Sequence, residues 1–178
     1  MKFTPAALQG VWIVDLDPRA DERGFFARSY CREEFAQVGL HTDWPQCNLS
    51  RNRQRGTIRG LHFQAPPDGE IKLVRCSVGA IFDVVVDVRP GSPTFRRWLG
   101  VELSADTGRS LYVPSGFAHG FQTLTDDADV FYMMGSPYMP ASARGLRWDD
   151  PNVGVQWPLP AVALSPQDAA LPLLGDLA

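Results

Sequence analysis

Short apolar stretches separated by turns run along most of the chain. Several of them alternate apolar and polar residues with a period of two, which is typical of strands that bury one face. Glycine and proline interrupt the pattern too often for long helices. We therefore predict about ten strands. Those that the pattern delimits cover residues 11–16, 25–30, 57–64, 71–78, 81–88, 98–103, 110–113, 120–124 and 130–134.

Few other elements are expected. Residues 32–38 predict a short helix that ends at Gly39. Residues 18–24 form a charged turn, and Gly79-Ala80 predicts a hairpin connection between the strands on either side of it. The fold class is therefore all-β, a sandwich or jelly-roll barrel with short peripheral helices.

Composition supports that class and limits the kinds of partner that are expected. The 178 residues fit one domain, 1–178, and 16 glycines with 15 prolines are many for a helical protein. A net charge of −3 gives no nucleic-acid surface. Three cysteines without a CxxC pair, no leader pattern and no stretch of about 18 apolar residues predict a cytoplasmic protein with free thiols and no membrane partner.

The stretch 57–64 contains one of the three histidines, His62. Strict alternation would place His62 on the same face as Ile58, and Arg59 on the opposite face. A bulge at Gly60 would instead turn Arg59 and His62 to the same side. From this segment alone, His62 also fits a core or rim histidine that bonds a backbone carbonyl.

Charged residues also interrupt the next two strands. Lys72 alternates with Val74, and both Asp83 and Asp87 alternate with Val85. Either these charges point into the barrel, where they must be paired or functional, or they lie in solvated edge strands.

A second motif follows at residues 108–119. The spacing Gly-x5-Pro-x-Gly-x2-His delivers His119 from a turn and resembles the second motif of the cupin superfamily. Metal-binding cupins carry a His-x-His pair and a glutamate in their first motif, but here Gln64 replaces the second histidine and a Pro-Pro loop displaces Glu70. We therefore expect a cupin barrel without a metal and without another cofactor. His119 could also simply form a hydrogen bond inside the barrel.

Several further motifs, in one order along nearly the whole chain, resemble the dTDP-4-dehydrorhamnose 3,5-epimerases and related nucleotide-sugar epimerases. They are DERGFF at 21–26, RGLHFQ at 59–64, KLVRC at 72–76, FDV at 82–84, SPTF at 92–95, residues 113–121 and LSPQD at 164–168.

The resemblance implies inversion of C3, C5 or both of a nucleotide-linked 4-keto-6-deoxy sugar through an enolate. It assigns the base to His62, oriented by Asp168, and the acid on the opposite face to Tyr132. Lys72 is suited to the enolate oxygen, because inversion needs a base, an acid and a cation or donor. Asp168 alternatively fits a position in the first turn of a helix capped by Ser165, and Tyr132 could be plain barrel packing.

The same resemblance implies a substrate-binding set and a homodimer that exchanges N-terminal strands. Arg59 and Arg23, the latter reaching in from a second subunit, would bind the diphosphate, since arginine suits phosphate oxygens. The remaining positions assigned to the nucleotide or sugar are Arg28, Gln46, Asn48, Asp83, His119 and Tyr138.

Four positions depart from the rhamnose-pathway enzymes. Arg28 stands in place of a glutamate, Leu49 of a histidine, Ala20 of a phenylalanine and Met133 of a lysine. They leave open the nucleotide, the sugar, and a single or double epimerisation. Two other classes also stay open at this point, a metal-dependent cupin oxygenase and a non-catalytic sugar-binding barrel.

Overall fold

A computed structural model describes residues 1–176, and it consists mainly of antiparallel strands. The strands are β1 Lys2–Pro5, β2 Trp12–Asp15, β3 Arg19–Asp21, β4 Gly24–Phe26, β5 Gln46–Asn52, β6 Ile58–Gln64, β7 Lys72–Val78, β8 Ala80–Asp87, β9 Trp98–Ser104, β10 Ser110–Val113, β11 Phe117–Thr123, β12 Ala128–Met134 and β13 Ala143–Gly145. The helices are α1 Arg32–Gln37 and α2 Pro166–Ala169, with a 3-10 turn at Leu174–Asp176.

Two sheets form the barrel. The first has the strand order β1-β2-β10-β7-β12-β5, and the second has the order β13-β6-β11-β8-β9. Apolar side chains from both sheets meet between them, among them Val74 and Val130 from the first and Val85, Leu103 and Phe121 from the second. Full burial of a side chain of this size contributes roughly 1.5–3 kcal/mol, so this layer holds the two sheets together.

The outer faces of the two sheets are covered by different parts of the chain. Phe35 of α1 is fully buried in a cluster with Val14, Leu73 and Tyr112 on the first sheet. On the second sheet, the C-terminal segment covers Leu61, Val84 and Val86 through side chains such as Leu146 and Trp157. The end of the chain is thereby brought beside β6, where α2 lies.

The predicted all-β class and the helix at 32–38 are confirmed, but three local expectations are wrong. Residues 18–24 are not a simple turn, because β3 pairs with β4, and the strand expected over 25–30 ends at Phe26. The strands on either side of Gly79 do not form a hairpin: β7 belongs to the first sheet and β8 to the second. Gly79 has a φ of +72°, and it turns the chain from one sheet to the other.

Candidate active site

The strand β6 contains a bulge that brings Arg59 and His62 to one cavity. His62 pairs with His119 of β11, and Arg59 pairs with Phe121. The two β6 residues are three positions apart, but their partners on β11 are only two positions apart. An extra residue on one strand reverses the alternation of faces. Strict alternation was therefore the wrong expectation for this strand, and the bulge was the right one.

The bulge requires glycine at position 60. Gly60 has a φ of +121°, and a Cβ there would lie 2.6 Å from the Cα of Gly120 on the neighbouring strand. A side chain at either glycine would separate β6 from β11 and move His62 with it.

The cavity itself has a volume of about 340 Å³. Side chains of both sheets and of α2 line it. These residues are Leu49, Ser50, Arg51, Arg59, His62, Lys72, His119, Gly120, Phe121, Tyr132 and Asp168. Six of the site residues predicted from the sequence therefore line this cavity. They are Arg59, His62, Lys72, His119 and Tyr132 from the strands, and Asp168 from the C-terminal segment.

His62 and Asp168 form a hydrogen-bonded pair although 106 positions separate them in the chain. The distance between His62 Nε2 and Asp168 Oδ1 is 2.7 Å, and Asp168 is buried. Burial favours a higher pKa for Asp168, but the hydrogen bond and charge of His62, with further bonds from Ser165 and the Gly60 backbone, hold that pKa below its usual value. Asp168 is thus an anion that fixes the His62 ring and leaves Nδ1 as the nitrogen free to accept a proton.

The capped helix start is also present. The Asp168 backbone N–H donates to Ser165 Oγ at 3.0 Å, and Pro166 occupies the first turn of α2. The two expectations for Asp168 are therefore compatible, because the cap uses its backbone while its side chain is directed at His62.

Tyr132 approaches the cavity from the other sheet. It lies on β12, opposite Asn48 of β5 in the strand register, and it also packs on the core between the sheets. Burial raises the pKa of Tyr132; the charge of Arg59 opposes that change and the charge of Glu70 adds to it. The phenol consequently stays protonated at neutral pH and can donate a proton.

Lys72 is buried beside Glu70, the glutamate that the Pro-Pro loop displaces from its usual cupin position. Its Nζ lies 2.7 Å from Glu70 Oε1 and donates a hydrogen bond of 3.3 Å to the His62 carbonyl. The displaced glutamate of the first cupin motif is therefore the partner of Lys72. The signal available in the sequence is their spacing, because residues two positions apart share one side of an extended segment.

A second histidine–aspartate pair lies next to the first. His119 Nε2 is 2.8 Å from Asp83 Oδ1, and both residues are buried. Only His119 reaches the cavity wall, while Asp83 lies behind it. Within residues 1–176, no hydrogen-bond partner meets the buried Asp83 Oδ2.

Arg59 is held by a residue that the sequence did not single out. Its Nε donates to Asn52 Oδ1 at 2.6 Å, and Asn52 is itself buried and bonded to backbone carbonyls. This contact leaves the two terminal nitrogens of Arg59 free. Arg59 also lines a neighbouring open cavity of about 610 Å³, together with Arg51 and Arg53. The region beyond Arg59 is therefore cationic and suits a phosphate chain.

The other predicted binding residues fall into two groups. At the start of β5, Gln46 donates to Asn48 at 3.2 Å and accepts from the Tyr138 backbone N–H at 3.3 Å, so these three lie together. Arg23 and Arg28 instead project from the chain, bound to Asp21 and Glu34 respectively. The structure does not bring either arginine to the cavity of the same chain.

Two of the positions that depart from the rhamnose-pathway enzymes, Leu49 and Met133, lie in different surroundings. Leu49 is exposed and lines the cavity, whereas Met133 packs with the cluster that covers the outer face of the first sheet. Met133 therefore points away from Tyr132, its neighbour in the chain.

The position of a cupin metal ligand is occupied by a side chain with other partners. Gln64, at the position of a cupin metal histidine, bonds the Met139 N–H and the Asp68 carbonyl. Across 1–176, no three His, Cys, Asp or Glu side chains come together as a metal would need. None of the helices in that part of the chain has the length and apolar character to cross a membrane.

Comparison with known proteins defines first the class and then the family. NovW of Streptomyces spheroides, a 4-keto-6-deoxy sugar epimerase, superposes with a TM-score of 0.94 at 39% identity, over 98% of this chain and 88% of its own. ChmJ of Streptomyces bikiniensis, a 3'-monoepimerase solved with dTDP-quinovose, gives a TM-score of 0.89 at 36% identity, over 96% and 87%. The fold is thus the cupin-type barrel of sugar epimerases.

The family follows from the sequence matches. A family model described as dTDP-4-dehydrorhamnose 3,5-epimerase matches residues 5–176. The dTDP-4-dehydrorhamnose 3,5-epimerase of Sinorhizobium fredii is 43% identical over 99% of this chain and 91% of its own length. The chain belongs to the dTDP-4-dehydrorhamnose 3,5-epimerase family and is an isomerase.

Proposed function

We propose that this enzyme inverts C3, C5 or both of dTDP-4-dehydro-6-deoxyglucose or a close analogue, without a cofactor. The observation that carries the proposal is the placement of His62 and Tyr132 on facing sheets around one cavity. A sugar ring between them meets a base on one face and an acid on the other, which inversion requires.

The proposed reaction begins at His62. Its Nδ1 takes the proton from C3 or C5, and the bonding electrons move toward the C4 carbonyl to give an enolate. The ammonium of Lys72 stabilises the negative oxygen. The Tyr132 O–H then gives its proton to the carbon from the opposite face. The phenolate regains a proton from solvent, and the His62 imidazolium releases one to solvent, which returns both residues to their starting state. No electron leaves the substrate, so no redox cofactor is needed.

Binding is proposed to use the cationic edge of the site. Arg59, held by Asn52, faces a cavity large enough for a diphosphate. Gln46, Asn48 and Tyr138 would line the nucleotide or sugar part, and His119 the sugar part. ChmJ, solved with dTDP-quinovose, supports a dTDP-linked ligand.

We further propose a cytoplasmic homodimer. The three cysteines are unpaired, which suits a reducing compartment. Arg23 and Arg28 are exposed and lie away from the cavity of their own chain, which supports their use in the site of a second copy.

The test is NMR of dTDP-linked 4-keto sugars incubated with the protein in D2O, with and without a chelator. We expect deuterium at C3, C5 or both, inversion at the same carbon, and equal rates in the two samples. A sugar-binding barrel would bind without exchange, and a metal-dependent oxygenase would lose activity in the chelated sample. Deuterium at one carbon alone would identify a single epimerisation.

A further inference from the structure

Glu70 lies behind Lys72, off the cavity wall. The two side chains are buried, with relative exposures of 7% and 8%, and Glu70 Oε1 is 2.7 Å from Lys72 Nζ. Glutamate and lysine are seldom buried unless they are paired. An ion pair at this depth therefore constrains both side chains.

The ammonium of Lys72 lies between Glu70 and the His62 carbonyl. A lysine ammonium has three N–H donors. Glu70 stands at ion-pair distance from the ammonium, and the His62 carbonyl accepts one of the three N–H groups at 3.3 Å. Lys72 also lines the cavity, together with His62 and Tyr132.

We propose that Glu70 is a positioning residue that fixes the ammonium of Lys72 at the place where the C4 oxygen of the substrate becomes an enolate. The proposal rests on the function proposed above. Lysine has a flexible four-carbon stem, so its ammonium can occupy many positions unless a partner holds it. Donors that are already in place when charge develops stabilise a transition state without reorganisation.

The counter-charge matters for the same reason. Arg59, His62 and His119 line the same cavity, and Asp168 is engaged by His62. A buried ammonium among these groups is costly without an anion at hydrogen-bond distance. Glu70 supplies that anion from outside the wall, where it does not block the substrate.

Two variants separate position from charge. Glu70→Gln keeps an oxygen acceptor at the same reach but removes the charge, whereas Glu70→Asp keeps the charge but withdraws it by one methylene. If Glu70 positions Lys72, Glu70→Asp should lower kcat for C–H exchange by about tenfold or more, because a small misplacement of a catalytic group is costly. Glu70→Gln should also lower kcat for C–H exchange by about tenfold or more, because it removes the anion that holds the ammonium in place. The Kd for dTDP, which lacks the ketone, should change less than about twofold in both.

Each alternative result overturns the proposal. A Glu70→Asp protein with the kcat of the wild type would mean that charge rather than position matters. Equal kcat in both variants and the wild type would make the pair purely structural, and so would melting temperatures that fall without a change in kcat. A larger loss in Lys72→Met/Glu70→Asp than in Lys72→Met alone would show that Glu70 acts independently of Lys72.

The failure of the proposed function would look different. If the wild-type protein exchanges no C–H bond in any dTDP-linked 4-keto sugar, the proposed function fails. The inference about Glu70 is then decided by a crystal structure of Glu70→Asp. Lys72 Nζ should leave its position next to the His62 carbonyl, and an unmoved Nζ would refute the positioning role.

Discussion

At the residue scale, the proposed direction of proton transfer follows from which sheet holds each group. His62 lies on β6 of the second sheet and Tyr132 on β12 of the first. Asp168 is an anion beside His62, while burial keeps the proton on Tyr132. Their environments thus separate a base from an acid, as opposite-face proton transfer needs.

This division predicts different failures for two mutants. His62→Ala should lose both epimerisation and C–H exchange, because no enolate forms. Tyr132→Phe keeps His62 and Lys72, so an enolate can form and be reprotonated by His62 on its original face. Exchange should therefore persist while inversion falls by about 10²–10⁴-fold. Time courses in D2O measure both rates, and equal losses of exchange and inversion in Tyr132→Phe would rule out a dedicated acid.

Asp168 offers a second residue-scale prediction, because its backbone and side chain have separate contacts. Asp168→Asn preserves the backbone bond to Ser165 but removes the charge beside His62, so exchange should fall by about tenfold or more while the melting temperature changes little. Ser165→Ala is the matched control. It should lose about 1 kcal/mol of stability and lower the rate less than Asp168→Asn does, because it removes only one of the bonds to the Asp168 carboxylate and keeps the charge. Normal turnover by Asp168→Asn would leave only the capping role.

At the element scale, the end of β8 is held by a buried carboxylate. Asp87 is fully buried and accepts bonds from Arg89, Ser92 and Thr94, which fix the loop after the strand. Burial opposes ionisation of Asp87, but these bonds, that of Arg89 first, hold its pKa well below the usual value. The loop and strand are therefore joined through the charged form.

The sign of the pH dependence follows from that lowered pKa. The stabilisation by Asp87 is present above the unfolded-state pKa of about 3.9 and is lost as the pH falls toward the folded-state pKa. Asp87→Asn should cost about 2–3 kcal/mol at pH 7, since it removes bonds to a charged group. Below about pH 4, the free energy of unfolding of Asp87→Asn should also fall less steeply than that of the wild type. Urea unfolding at several pH values measures this, with the exposed Asp106→Asn as control; identical pH profiles for Asp87→Asn and wild type would contradict it.

At the scale of the whole molecule, the sequence predicts much of the architecture but not the contacts between distant elements. Periodicity is a local property, so most strands and the all-β class could be predicted. β5 was not predicted as a strand, because it is polar along one face and lies at a sheet edge. The His62–Asp168 bond joins residues 106 positions apart, and the His119–Asp83 bond joins residues 36 positions apart. Neither is encoded in the spacing of neighbouring residues.

The hairpin of β3 and β4 gives the last prediction, which concerns assembly. Every residue of its two strands is exposed, including Phe25 at 55% and Phe26 at 76%. Adjacent exposed aromatic residues are typical of an interface, so we expect this hairpin to pack on a second copy.

Phe26→Asp should shift the protein from dimer to monomer in light scattering, because it places a charge in that contact. Arg23→Ala should leave the dimer intact but weaken binding of the dTDP-linked sugar by about 10–100-fold, the value of a charge-assisted bond to phosphate. Val162→Asp, at a 62% exposed apolar position of the C-terminal segment, is the control and should change neither property. A wild-type protein that is monomeric and fully active at assay concentration would refute the proposed exchange of hairpins. The diphosphate would then need another source of cations. Arg51 and Arg53, which lie beside Arg59, would be the first to test.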